Sequence, residues 1–273
     1  MLRLISTIIL SALVLATIWF LPLFPFQIVI LVATGVGLWE YASLIFQNKG
    51  PRFFTLFLGL VFASLMTWYP SREILLIGLL AIVFVTFLWG LKNQSPAGHQ
   101  NLSETTHYMG TVILGVCYLA LTLPFWSWLR ELGREWVLLV LLPACFTDTF
   151  GFLVGKSIGR HKLAEVISPN KTWEGFFGGL CGGIFGLWLA TQLFFQGRIY
   201  YWNQTWWHLI IIGASISIVA ALGDLFESLI KRSAGVKDAS HLIPGHGGAL
   251  DRLDALIFVP SFFYFLLWYT GVP

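Results

Sequence analysis

The sequence predicts an all-α, polytopic membrane protein of about nine transmembrane helices, and three observations carry that expectation. Hydrophobic residues fill 57% of the 273 positions and charged residues only 11%, against about 25% charged in an ordinary soluble domain. Apolar stretches follow one another along the chain, each near the roughly 20 helical residues that cross a hydrocarbon core of about 30 Å. The basic residues fall unequally between alternate polar breaks. A water-soluble fold is thereby excluded, and a net charge of +3 without a basic platform excludes a nucleic-acid partner.

The expected spans, in order, begin with Ile5–Leu21. Arg3 ahead of this run resembles a signal peptide, but no small-x-small cleavage pattern stands before Pro22, so a retained first helix is expected. Phe26–Ile45 holds the isolated acid Glu40, which could pack against the site or hydrogen-bond a neighbouring helix, the second being the favoured expectation. Phe53–Tyr69 and Ile74–Leu91 follow the breaks carrying Lys49, Arg52 and Arg72, and His107–Trp126 follows the longer break from Lys92 to Thr106. Trp136–Gly155 contains Asp148; Gly175–Phe195 and Trp206–Ile230 come next, and Leu253–Tyr269 closes the series. These divide into an N-terminal region, 1–135, of about five spans and a C-terminal catalytic region, 136–273, of about four, with loops at 156–174 and 231–252. Cys117, Cys145 and Cys181 lie in apolar stretches without metal-ligand spacing and are expected to be small buried hydrophobes.

Nine spans place Arg3, Lys49, Arg52, Lys92, Lys156, Arg160, Lys162, Lys171, Lys231, Arg232, Lys237 and Arg252 on one side, and Arg72, Arg130, Arg134 and Arg198 on the other. Lys and Arg are retained in the cytoplasm, so the N-terminus is expected inside and the C-terminus outside, with all three longer loops cytoplasmic.

Two clusters carry the chemistry. The first joins the in-span Asp148 to a basic glycine-containing loop and to Ile167–Gly175, ISPNKTWEG. An ionised group at mid-membrane costs at least about 2.5–3.5 kcal/mol and needs a partner or water. Ser168-Pro169 reads as a helix-breaking turn, and Lys171 with backbone amides at a helix start reads as a phosphate cradle; an ordinary positive-inside loop is the equal alternative. The second cluster runs from Gly223 to Asp254. On a helix Asp224, Glu227, Ser228 and Lys231 share a face, and Asp251 and Asp254 lie one turn apart beyond the loop. Carboxylates from separate elements are what Mg²⁺ takes while keeping water and phosphates for its other positions, which makes Asp224 and Asp251 the preferred ligands. A salt bridge pinning two helices is the alternative. Pro244-Gly245-His246-Gly247-Gly248 could bring amides close to phosphate, or His246 could simply pack the loop. No His pattern suited to zinc and no nucleophile elbow appears.

The second cluster resembles the signature of the phosphatidate cytidylyltransferases, or CDP-diacylglycerol synthases. The matching residues are Ser228, Ile230, Lys231 and Arg232, then Lys237, Asp238 and Ser240, then Ile243, Pro244, His246, Gly247 and Gly248, then Asp251, Arg252, Leu253 and Asp254. Ala249 departs from a larger aliphatic residue. The first cluster is similar through Asp148, Ile167, Ser168, Pro169, Lys171, Thr172, Glu174 and Gly175, with Phe152 in place of a tyrosine and Lys156 in place of an arginine. The resemblance covers Thr147 to Asp254.

It implies transfer of the cytidylyl group of CTP to phosphatidate, giving CDP-diacylglycerol and pyrophosphate, by a Mg²⁺-dependent enzyme that can also use a second cation such as K⁺. The implied catalytic residues are Asp224, Asp251, Lys231 and Arg252, with metal on Asp224 and Asp251 and Asp254 as a further candidate. Substrate contacts fall to Asp148, Ser168, Lys171, Thr172, Glu174, Ser228, Arg232, Lys237, His246, Gly247 and Gly248. The implied setting is the bilayer of a bacterial inner membrane, with the site facing the cytoplasm; a homodimer is compatible with this reading and not required by it. Two other readings are an ion-coupled transporter relaying through Asp148, Asp224 and Glu227, and a related CTP-dependent lipid enzyme, either a polyprenol kinase or an isoprenoid ether-lipid cytidylyltransferase.

Overall fold

A computed structural model describes residues 2–92, 100–196, 206–240, 242 and 247–271. The chain is built from α1 (Leu2–Phe20), α2 (Leu23–Ile45), α3 (Lys49–Trp68), α4 (Arg72–Lys92) and α5 (Gln100–Gly115), which runs on through a π turn, Val116–Ala120. Then come α6 (Phe125–Leu132), α7 (Arg134–Ile158), the strands β1 (Lys162–Ala164) and β2 (Ser168–Thr172), α8 (Trp173–Phe195) and α9 (Trp206–Ser233). A short α10 (Leu250–Leu253), a 3-10 turn (Asp254–Leu256) and α11 (Val259–Tyr269) complete it. Among the described residues seven helical stretches are long and apolar enough to cross a membrane. The protein is an integral membrane protein, and its described residues are all-α but for one hairpin.

The helices are apolar all round because lipid is their outer solvent. On α4 the buried positions are Ile82, Thr86 and Gly90, while Leu76, Ile77, Leu80 and Phe84 face outward. Hydroxyls inside the bundle donate to carbonyls one turn back, as Thr34 does to Ile30 at 2.8 Å, Thr55 to Pro51 at 2.7 Å and Thr191 to Leu187 at 2.8 Å. No water is then needed to satisfy them. The core gathers on Tyr41, Leu38, Leu119 and Tyr118; the Tyr118 ring packs on Phe226 and Phe258 with centroids 4.8 and 5.4 Å away.

The tightest packing joins α7 to α8. Without a hydrophobic drive between helices in lipid, close approach comes from small residues, and α8 lines its inner face with Gly175, Gly179, Gly182, Gly183 and Gly186. A Cβ at Gly182 would lie 2.5 Å from the Phe146 carbonyl and 2.6 Å from Phe150 Cβ. On the third side, Thr147 of α7 donates to Pro143 O and meets Ser217 of α9, both at 2.8 Å. This three-helix contact fixes where Asp148 and Asp224 stand.

Three expectations change. Ser168-Pro169 is not a turn: it begins β2, which pairs antiparallel with β1 in the register Lys162 with Thr172 and Ala164 with Ser168. Cys145 and Cys181 are exposed on the bundle's outside and only Cys117 is partly covered, because an apolar residue in a bilayer need not be inside the protein. The last stretch, Leu253–Tyr269, is interrupted by the 3-10 turn, leaving 11 residues in α11, a rise of about 16 Å.

Gly182→Val should overpack the α7/α8 contact by about 1–3 kcal/mol, seen as a lower thermal unfolding midpoint in detergent. Gly110→Ala on the exposed side of α5, where a Cβ meets nothing within 4 Å, should leave the midpoint unchanged or slightly raised.

Candidate active site

The site grows from one end of α7, α8 and α9, where the hairpin closes over the helix ends. Thr172 caps α8 by accepting from Gly175 N at 3.1 Å. Glu174 accepts from the amides of Arg160 and His161 at 3.1 and 3.2 Å and from His161 Nδ1 at 2.6 Å. It thus fastens the hairpin to the helix start. Ser168 pairs in the strand. Of the motif residues expected at the substrate, Lys171 and Thr172 reach the cavity beneath the hairpin, whereas Glu174 and Ser168 do not line it.

That cavity, of about 480 Å³, lies between α7, the hairpin, α8 and α9 and is lined by Asp148, Phe152, Lys156, Asn170, Lys171 and Asp224 among others. Lys171 Nζ is 2.6 Å from Asp224 Oδ2 and 3.5 Å from the Ala221 carbonyl. Asp224 Oδ1 accepts from Ser228 at 3.4 Å. Lys156, at one of the departing positions, lies with its ammonium 5.6 Å from the Phe152 ring, so two of the three departures from the resembled pattern are neighbours.

Behind the cavity the helical face of α9 meets the end of the loop. Lys231 Nζ stands 2.5 Å from Glu227 Oε2 and 2.6 Å from Asp251 Oδ1. Asp251 Oδ2 accepts from Ala239 N at 2.9 Å and Gly248 N at 2.7 Å. Burial alone would raise the pKa of Asp251, but the hydrogen bonds from Lys231, Gly248 and Ala239, with the Lys231 charge, hold its carboxyl below the ordinary range. The stabilisation this gives is complete above the ordinary aspartate pKa of about 3.9 and is lost as pH falls through the lower folded value. Asp224, Glu227 and Asp254 each offer an oxygen within 4.8 Å of the others. α9 comes this near to Asp254 because Gly223 has no side chain: a Cβ there would sit 2.6 Å from the Asp254 carbonyl.

Several expected residues stand apart from this group. Arg232 donates to the carbonyls of Ile167 and Val236 at 3.3 and 3.2 Å and joins α9 to the hairpin. Lys237 and Arg252 are exposed. Gly247 and Gly248 give room to carboxylates: a Cβ on Gly247 would lie 2.6 Å from Asp251 Oδ2. His246 lies outside the described residues. Glu227 is missing from the expected site although it shares the Asp224 face, and its period was the signal that could have found it. Glu40, expected to bond a neighbouring helix, instead bonds residues 240, 249 and 250.

Fold and site together define a polytopic membrane protein with a buried carboxylate cluster beside a cation-lined cavity. The description "cytidylyltransferase family" matches residues 1–270, and the chain belongs to that family. It is 42% identical to the phosphatidate cytidylyltransferase of Staphylococcus aureus (strain COL) over 148 residues, 54% of each chain. To that of Staphylococcus haemolyticus it is 40% identical over 148 residues, again 54% of each, and to that of Staphylococcus epidermidis (strain ATCC 12228) 38% over 158 residues, 58% of each. The matched part spans a little over half the length of these relatives.

Lys231→Met would leave Glu227 and Asp251 without their shared cation, and breaking a buried pair in this way costs about 3–5 kcal/mol. Denaturant unfolding in detergent should register a loss of that order, and adding Glu227→Gln should restore part of it. Equal stability of wild type and Lys231→Met would show that the pair is not buried as described.

Proposed function

We propose that this protein transfers the cytidylyl group of CTP to phosphatidate, giving CDP-diacylglycerol and pyrophosphate. The observation that carries this reading is the pairing of a cavity of about 480 Å³, lined by Lys156 and Lys171 under the ISPNKTWEG hairpin, with the carboxylate cluster behind it, in a chain of the cytidylyltransferase family. The name of the staphylococcal relatives supports phosphatidate as the acceptor.

The cluster suits a divalent cation. The ion pairs set Lys171 against Asp224 and Lys231 against Glu227 and Asp251, with Asp148 lining the cavity and Asp254 in the carboxylate group besides, and Glu227 Oε1 is buried without a hydrogen-bond partner. Like charges this close need further positive charge. We assign Mg²⁺ to Asp224, Glu227 and Asp254, whose oxygens lie together, rather than to Asp251, whose oxygens are taken by Lys231 and two backbone amides, and leave a second cation such as K⁺ to the same group. When bound, the metal supplies charge neutralisation on the triphosphate.

The protein's own part is placement. A phosphate monoester has its second pKa near 6, so the phosphatidate oxygen is already ionised at neutral pH and needs no general base. Its oxygen bonds to the α-phosphorus while the α–β bond breaks, and the electron pair leaves with pyrophosphate. Lys171 stands in the cavity to hold phosphate oxygens, and Lys231 keeps the carboxylates in place from behind. Arg232, Lys237 and Arg252 supply positive charge at the rim, with His246 on the same loop. Ser228, through Asp224, sets the facing carboxylate.

We assign nine crossings with the N-terminus in the cytoplasm, Leu253–Tyr269 forming the last. The division of twelve bases against four supports this, as does the common end shared by the hairpin and the 231–252 loop. A site at the cytoplasmic face of a bacterial inner membrane, in the C-terminal half from 136 onward, meets the water-borne nucleotide and the lipid acceptor at once. The transporter reading gains nothing from this geometry, since the acids sit on one rim beside a cavity.

Purified protein given CTP, phosphatidate and Mg²⁺ should release pyrophosphate and form a CDP-lipid. Asp224→Asn should lower turnover by at least about a hundredfold, the order expected when a charge placed for the transition state is removed, while detergent elution is unchanged. A phosphorylated lipid with CDP as by-product would instead assign a kinase, and retained turnover in Asp224→Asn would remove that residue from the metal.

A further inference from the structure

We propose that Glu40, on α2 in the N-terminal half, is a positioning residue for the Asp251–Asp254 turn, holding it against α9 in the geometry that turnover needs. This rests on the function proposed above.

Glu40 is 4% exposed, at the end of an otherwise apolar helix. A buried carboxylate in a span is costly unless fully engaged, and among the described residues its bonds all reach the far end of the sequence. Oε1 accepts from Ser240 Oγ at 2.6 Å and from Ala249 N at 3.0 Å; Oε2 accepts from Leu250 N at 2.7 Å. Ala249 opens α10 and has no side chain able to cap it, so the amides beginning that turn would have no local acceptor. Glu40 serves as their cap from another helix.

The room for it is made by Gly248, where a Cβ would lie 2.7 and 2.8 Å from the two Glu40 oxygens. Asp251 performs the matching task one step away, taking Ala239 N and Gly248 N. Two carboxylates therefore tie 239–240 to 248–250. Asp251 belongs to the turn and to the Lys231 pair, whereas Glu40 belongs to neither and anchors both to the bundle. With Glu40 in place, Asp251 is presented to Lys231 and Asp254 to Asp224 and Glu227; without it, the turn is held only by the groups that are to hold metal and phosphate. A displacement near 1 Å in a reacting group is enough to cost about a hundredfold.

The test compares wild type, Glu40→Gln and Glu40→Ala, full length in lipid nanodiscs, by three measurements: amide hydrogen exchange, Mn²⁺ binding followed by electron paramagnetic resonance, and turnover per folded molecule. In Glu40→Ala, exchange at Ala249 and Leu250 should rise at least tenfold while α7 and the middle of α9 stay protected. Mn²⁺ affinity and kcat should each fall at least tenfold, with KM for CTP changed less than threefold. Glu40→Gln, which keeps one acceptor oxygen, should lie between. A role confined to stability would lower the yield of folded protein and leave kcat per folded molecule and Mn²⁺ affinity unchanged, and that result overturns the proposal, as does unaltered exchange at 249 and 250. If wild type fails to turn over CTP with phosphatidate, the functional reading falls and Mn²⁺ affinity and exchange alone decide for or against Glu40.

Discussion

Lys231 sits where α9, the loop and α10 converge, with Glu227 2.5 Å from its nitrogen and Asp251 2.6 Å away. Glu227 is wholly buried and Asp251 is 8% exposed at its side chain, so little water is present to screen either charge. One ammonium thus holds together two carboxylates that would otherwise repel one another. The loop's closure depends on the same contact, because the oxygen of Asp251 that Lys231 leaves free takes two backbone amides. So does the carboxylate group formed by Asp224, Glu227 and Asp254, since Lys231 is the cation paired with Glu227, one of its three members. The packing of α7 on α8 then brings Lys171 to Asp224 from the opposite side.

The glycine-rich turn illustrates how one local feature can serve an opposite chemistry. Amides of such a turn can cradle phosphate, and the sequence reads that way. In the structure the amides of Gly248, Ala249 and Leu250 all go to protein carboxylates. The cations at the cavity are the side chains of Lys156 and Lys171, and the glycines make space for the acids that shape the turn. The hairpin shows the same division. Glu174 closes its neck while Lys171 and Thr172, three and two residues earlier, face the cavity and the helix start.

Much of the fold was legible because helices in lipid announce themselves by composition alone. Apolar stretches longer than about 17 residues became helices, and their ends were marked by Pro22, Gly133 and the basic breaks. The β-hairpin was not legible: its strands are three and five residues long, too short for alternation to show, and it exists because Glu174 and the α8 start hold it. Within the site, the i, i+3, i+4, i+7 face of α9 was readable and pointed to Lys231 and Asp224. Asp251 was readable as a neighbour of Lys231 only in the sense that both had charge to satisfy, and the choice among ion pair, metal and amides needed the tertiary contact.

What the sequence determined by itself was the solvent, the helical class, the grouping of charge into two loops and, through the residues from Thr147 to Asp254, the resemblance to a lipid-directed cytidylyltransferase. These follow from properties carried by each residue or by a single helix period. Only the tertiary structure decided that Glu40 caps a turn 209 and 210 residues away, and that Gly223 lets α9 press against Asp254. It likewise decided that Cys145 and Cys181 face outward. In a bilayer every side of a helix is apolar, so hydropathy cannot say which side faces a neighbour. That rotation is chosen by small residues in close contact and by buried polar groups that must find partners.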